Sequence, residues 1–246
     1  MDNNNQVKNY LEQLKIQKNL PSQKVNFPLF DRNLNLDKFL EIFKLQYVKL
    51  YNKEFVEINE SLELVSTLFD YFTKSKDFIT SPLLYRIKNV DISLDKGLII
   101  VGGFGVGKTS ILKTFTEIIK NISLNFNQYP IRMHNTQDIV EEFECGGSDS
   151  RIDVIDKYSK SYRIFDDVKN ERKASKYGIF DLLKEIIYKR CETRNFRTII
   201  ICNYDPEHPD DMNQAIESFY RYEGQVYDRL YEAFNFIEIK GKSMRK

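Results

Sequence analysis

Cysteine and histidine are scarce in this chain, and no long apolar run occurs in it. The three cysteines, Cys145, Cys191 and Cys202, stand far apart and form no CxxC pair. That argues against a disulfide framework and fits a reduced, cytoplasmic compartment. With only His134 and His208 beside them, a structural zinc site is not expected. No stretch approaches the roughly 18 apolar residues of a membrane-crossing helix. The opening MDNNNQ has neither the basic region nor the apolar core of an export signal. An excess of one charge is missing too: 37 Lys and Arg against 36 Asp and Glu leave a net charge of +1. Any nucleic-acid contact must therefore be a local patch. What is present is the composition of an ordinary globular protein, 41% hydrophobic and 30% charged over 246 residues. That is enough for one sizeable α/β domain with an appendage.

Along the chain, the first 20 residues are polar, with one weak helical stretch from Val7 to Ile16, and Pro21 and Pro28 punctuate the next segment. The segment LDKFLEIFKLQYVKLY, from Leu36 to Tyr51, puts Phe39, Leu40, Phe43, Tyr47 and Leu50 on one helical face; Ser61 to Phe72 repeats the pattern. These two helices are expected to be packing elements, with an exposed partner surface left as the alternative. Beyond Lys96 the pattern changes to strands alternating with helices. Strands are expected at 98–101, 130–134, 162–165, 198–202 and 234–239, with helices at 108–122, 136–143 and 179–193. Strands separated by helices predict a five-stranded parallel sheet in a three-layer α/β sandwich.

The stretch VGGFGVGKTS, residues 101–110, satisfies the phosphate-loop pattern, with Gly102, Gly107, Lys108 and Thr109 at the fixed positions. It follows an apolar strand and opens a helix, as the chemistry requires. In such a loop the backbone N–H groups of Gly102, Gly103, Phe104, Gly105, Val106, Gly107 and Ser110 are placed to wrap phosphate oxygens. Lys108, expected to be solvated in the empty loop, bridges the β- and γ-phosphates, and the Thr109 hydroxyl ligates Mg²⁺. ATP and Mg²⁺ are the expected ligands.

The second half of such a site is an apolar strand ending in carboxylates, and Arg163-Ile164-Phe165-Asp166-Asp167 supplies one. Asp166 is expected to hold the metal and Asp167 to orient or deprotonate the attacking water; a turn or helix cap is the other meaning of such a pair. Asn203, after the TIIIC strand, is placed to contact the γ-phosphate or the water, or to make an Asx-turn.

Residues 164–205, IFDDVKNERKASKYGIFDLLKEIIYKRCETRNFRTIIICNYD, resemble the acidic-strand-to-asparagine block of the AAA+ helicase loaders and transposition ATPases of the DnaC, DnaI and IstB group. Asp228-Arg229-Leu230, followed by Gly241-Lys242-Ser243-Met244-Arg245, resembles that group's ending, and the likeness covers roughly residues 80–246. The resemblance implies a P-loop NTPase of the AAA+ (ASCE) type with a helical N-terminal appendage. It also implies a homo-oligomeric ATPase whose site is completed by a neighbour, with Arg229 at the position of a trans-acting arginine finger and Arg245 at a sensor position; a surface salt bridge is the plain alternative for each.

Residues 1–75, with two aromatic helices and a polar leader that the phosphate-loop chemistry does not require, are expected to be an N-terminal partner-binding region, and residues 76–246 an ATPase domain. The function the resemblance implies is ATP-dependent loading of a replicative DNA helicase on single-stranded DNA. The alternatives are assistance to a DNA transposase and a small-molecule P-loop kinase. The second acid is the short Asp167 where many AAA+ motors carry Glu, which suits a slow switch. Lys157, Lys160, Arg163, Lys169, Arg172, Lys173 and Lys176, with Tyr158 and Tyr162 among them, could track single-stranded DNA by phosphate contact and stacking or form a solvated charged loop.

Overall fold

The computed structural model describes residues 34–122, 130–146, 150–176, 178–194 and 197–244; the Val7 to Ile16 stretch lies outside them. A six-stranded sheet runs through the molecule. Its strands are β1 (Leu84–Tyr85), β2 (Gly97–Gly102), β3 (Ile131–Asn135), β4 (Tyr162–Asp166), β5 (Thr198–Cys202) and β6 (Phe234–Ile239), in the order β1-β6-β2-β5-β4-β3. Five of them pair in parallel, as their alternation with helices requires. The sixth, β1, is an antiparallel edge strand that corrects the expected count of five. Two residues are too few to carry a period-two signal.

Alternation along each strand divides the core. Leu98, Ile100, Ile199 and Ile201 face one side, together with α1 (Leu36–Tyr51), α2 (Asn59–Thr73) and α3 (Lys108–Ile122). Ile99, Val101, Ile200 and Cys202 face the other. There they meet α4 (Thr136–Cys145), α5 (Arg151–Ser159), α6 (Leu182–Glu192), α7 (Met212–Glu217) and α8 (Gly224–Ala233). The result is the expected three-layer sandwich. Sequence periodicity missed α5, α7 and α8, which are short.

The helix α1 starts because the Asn35 side chain accepts the Asp37 N–H at 2.6 Å, and ends at a left-handed Asn52. Such a cap contributes about 1 kcal/mol. Packing contributes more: Phe39 and Phe43 are wholly buried, with ring centroids 5.0 Å and 5.6 Å from that of Phe115 on α3. Truncating a buried Phe costs about 3–5 kcal/mol, so α1 is anchored on the phosphate-loop helix. The aromatic face expected as either a packing face or a partner surface is therefore packed at Phe39 and Phe43.

Sheet register sets the site. Val101 lies beside Cys202, and Asn135 beside Asp166. The carboxyl ends of β2, β5, β4 and β3 thus form one rim, where open α/β sheets bind ligands. Because β5 lies between β2 and β4, Asn203 stands between the phosphate loop and the acidic pair.

Candidate nucleotide site

The phosphate loop leaves β2 and closes into the first turn of α3. Two positions require glycine. A Cβ at Gly102 would lie 2.8 Å from the Ile239 carbonyl oxygen; Gly107 has φ +92°, and its Cβ would meet the Met244 side chain at 2.7 Å. The backbone conformation at Gly107 and the close approach of the Ile239 carbonyl at Gly102 depend on the missing side chain.

Lys108 is only 6% exposed. Its ammonium donates to the carbonyls of Gly102 at 2.7 Å and Gly103 at 2.8 Å, and to Asn203 Oδ1 at 3.0 Å. The expectation of a solvated lysine is corrected: the cation rests inside the loop on three oxygens, so phosphate oxygens would replace protein oxygens rather than water. Such an exchange lowers the desolvation cost of binding.

The Thr109 hydroxyl donates to Asp166 Oδ1 at 3.0 Å. Burial holds the Asp166 carboxyl above its ordinary range and Asp167 adds to the effect, while the Thr109 hydrogen bond and Lys108 act against it. A hard divalent cation between these oxygens would relieve the burial cost. The donor set suits Mg²⁺, which takes one or two carboxylates plus substrate phosphates rather than a protein cage.

Asp167 has a left-handed backbone, φ +61°. Its carbonyl accepts from the Thr136 hydroxyl at 3.0 Å, and its carboxylate accepts from the side-chain amides of Asn170 and, at 3.4 Å, Asn203. One amide, that of Asn203, therefore spans the loop lysine and the second acid. Lys108, Thr109, Asp166, Asp167 and Asn203 border a cavity of about 570 Å³.

Among the lining residues that sequence reasoning did not place in the site are Tyr47, Tyr51 and Lys53. The Tyr51 hydroxyl donates to the Ser110 carbonyl at 3.4 Å. Burial, then Tyr47 and Asp166, push its pKa up to about 12. The aromatic spacing on α1 was legible, but not which aromatics turn toward the phosphate loop.

One expected residue is not brought in. Arg229, on α8, is half-buried with its guanidinium 4.9 Å from the Tyr188 ring centroid, and it does not line the cavity of its own chain. Arg245 lies outside the described residues; Met244, just before it, donates its N–H to the Gly105 carbonyl at 3.0 Å.

The basic segment is no open cationic stripe. Lys157 pairs with Glu142, Arg172 with Glu144, and Lys160 with Asp156 at 4.0 Å. Arg163 is 5% exposed and donates to the carbonyls of Lys157 and Lys160, and Lys176 reaches those of Phe143 and Gly146. Tyr158 and Tyr162 are buried. The stacking part of the single-strand track drawn from these residues is corrected, because its two rings face the core; of its cations, Lys157, Lys160 and Arg172 pair with acids and Arg163 is buried.

No family model matches the sequence, and no curated protein matches it. Among solved structures, the crystal structure of the DnaC helicase loader is similar with a TM-score of 0.47 at 20% identity, covering 79% of this chain and 99% of that one. PCH-2 of C. elegans is similar with a TM-score of 0.36 at 15% identity, covering 79% of this chain and 46% of that chain, so this chain spans under half the length of that relative. The fold is that of a P-loop NTPase by its own geometry: phosphate loop between β2 and α3, acidic pair at the end of β4, asparagine after the strand between them. Among the described residues, no helix is long and apolar enough to cross a membrane.

Proposed function

We propose that this protein is a Mg²⁺-dependent AAA+ ATPase that loads or remodels a replicative DNA helicase on single-stranded DNA. The observation that carries the ATPase reading is the shared position of Asn203, hydrogen-bonded to Lys108 at 3.0 Å and to Asp167 at 3.4 Å. A phosphoryl group held by the lysine and a water held by the acid would meet at that amide.

The roles follow from the donors and acceptors. The loop N–H groups and Lys108 bind the β- and γ-phosphates. Thr109 and Asp166 would hold the metal, which when bound neutralises charge on the β- and γ-oxygens. Asp167 accepts the proton of the attacking water, and Asn203 orients that water or the γ-phosphate. Arg229 would serve a neighbour's site, stabilising the charge that spreads over the γ-oxygens. Its place outside its own cavity is compatible with that role, and hydrolysis would then depend on a homo-oligomer.

A helicase partner is inferred from the resemblance in the acidic-strand block and the tail. The partner-binding role proposed for residues 1–75 falls to surfaces other than Phe39 and Phe43, which are buried. The test is capture of host helicase by the full chain in ATP, followed by helicase loading on circular single-stranded DNA. Capture of a transposase instead would favour the alternative assignment.

A further inference from the structure

Two alternate positions after β4 have left-handed backbones without being glycine: Asp167 at φ +61° and Lys169 at φ +82°. Such conformations cost about 1–3 kcal/mol each and persist only where the surroundings over-determine them. The surroundings here are specific. The Lys169 ammonium donates to the carbonyls of Asn203 and Ala215, each at 3.2 Å, and to the Ser218 hydroxyl at 2.6 Å, and it lies 5.1 Å from the Phe219 ring centroid. Its backbone N–H donates to Glu171 Oε2 at 2.9 Å and to the Tyr222 oxygen at 3.2 Å, and its carbonyl accepts from Arg221.

The second anchor is Glu171, only 4% exposed. It accepts from the Tyr222 hydroxyl at 2.6 Å and pairs with Arg221 at 3.0 Å. Burial nevertheless holds its carboxyl above the ordinary range, with Tyr222 and Arg221 acting against that. Buried polar groups in such a network fix one geometry when every member is satisfied.

We infer that Lys169 is a positioning residue for hydrolysis: it ties the Asp167 loop and the Asn203 backbone to the Ser218–Tyr222 turn, setting the distance between acid and amide. The inference rests on the hydrolytic reading of the site. Lys169 has no place in the cavity lining, so its effect is exerted through Asp167 and Asn203. The same turn leads directly into α8, which carries Arg229, so the clamp joins the acid loop to the helix proposed to serve a neighbouring subunit.

The test is Lys169→Met in the full chain, which keeps the aliphatic stem on Phe219 and removes the ammonium. A misplacement of about 1 Å in a catalytic group can cost about 10²-fold. Single-turnover hydrolysis of bound ATP should therefore fall by about that factor, while affinity for a fluorescent ATP analogue stays within about twofold. Lys169→Arg should recover part of the rate. Ser218→Ala, which removes only one acceptor, should slow turnover a few-fold and covers the case in which Lys169→Met does not fold. Unchanged turnover in the folded variants, or affinity lost in step with turnover, overturns the inference.

Hydrogen exchange of nucleotide-free protein reads the clamp separately. Exchange should quicken in residues 167–171 and 218–222 of the folded Lys169 variant, or of Ser218→Ala, and stay unchanged in β2 and α3. Unaltered exchange overturns the clamp whatever the wild-type activity. Wild-type protein that binds ATP but never hydrolyses it overturns the reading of the site instead.

Discussion

The Lys108 ammonium lies 3.0 Å from the side-chain oxygen of Asn203, joining the phosphate loop to the end of the neighbouring strand. With the Gly102 and Gly103 carbonyls this gives the lysine a structural duty as well as a chemical one.

Lys108→Ala should therefore do two things. It should abolish binding of a fluorescent ATP analogue, and it should also lower stability, because three oxygens at a nearly closed site lose their donor. An unsatisfied buried acceptor costs about 1–3 kcal/mol. Denaturant unfolding beside the binding titration checks both effects.

A pH dependence follows from His134, whose pKa is pushed down to about 4 by burial first and then by the Arg163 guanidinium. The unfolded histidine titrates near its ordinary 6.5. Between about 6.5 and 4 the unfolded chain therefore binds more protons than the folded one, and this contribution to stability is lost as pH falls through that window. His134→Gln should flatten the wild-type decline in denaturant-unfolding stability between pH 7 and pH 5.

Removing residues before 76 should destroy the fold rather than free an ATPase core. Phe39 and Phe72 cover the Phe115 face of α3, and Phe69 packs on Phe39. Phe39→Ala alone should cost about 3–5 kcal/mol. Circular dichroism melts of the truncated chain and the point variant measure it, and a truncated chain with wild-type stability and nucleotide affinity would refute the packing account.

Arg229→Ala should keep ATP binding and lose most turnover. Mixing it with Lys108→Ala should restore a fraction of activity, since mixed neighbours can pair an intact pocket with an intact arginine. Loss of activity without rescue, and turnover per subunit that does not change with protein concentration, would assign Arg229 to its contact with Tyr188.

The parts of the site written at fixed spacing were legible in the sequence. Gly102, Gly107, Lys108 and Thr109 follow one strand, Asp166 and Asp167 end another, and Asn203 ends a third. Each marks a strand end, and parallel register brings strand ends together. What was illegible depends on contacts between distant segments: the turn of Tyr51 toward Ser110, the reach of Lys169 to Ser218, and the pairing of Lys157 and Arg172 with acids on α4. Composition showed those cations without showing what neutralises them. The edge strand β1 escaped for a different reason, being too short for any periodicity.

The most direct test of the hydrolytic site compares Asp167→Asn with Asp166→Asn in magnesium-dependent ATP turnover and binding. An amide cannot accept the water's proton, so Asp167→Asn should bind Mg-ATP as wild type does and hydrolyse it about 10²- to 10⁴-fold more slowly, whereas Asp166→Asn should raise the magnesium concentration needed for binding. Wild-type turnover in Asp167→Asn, or magnesium dependence unchanged in Asp166→Asn, would contradict the assignment of the two acids.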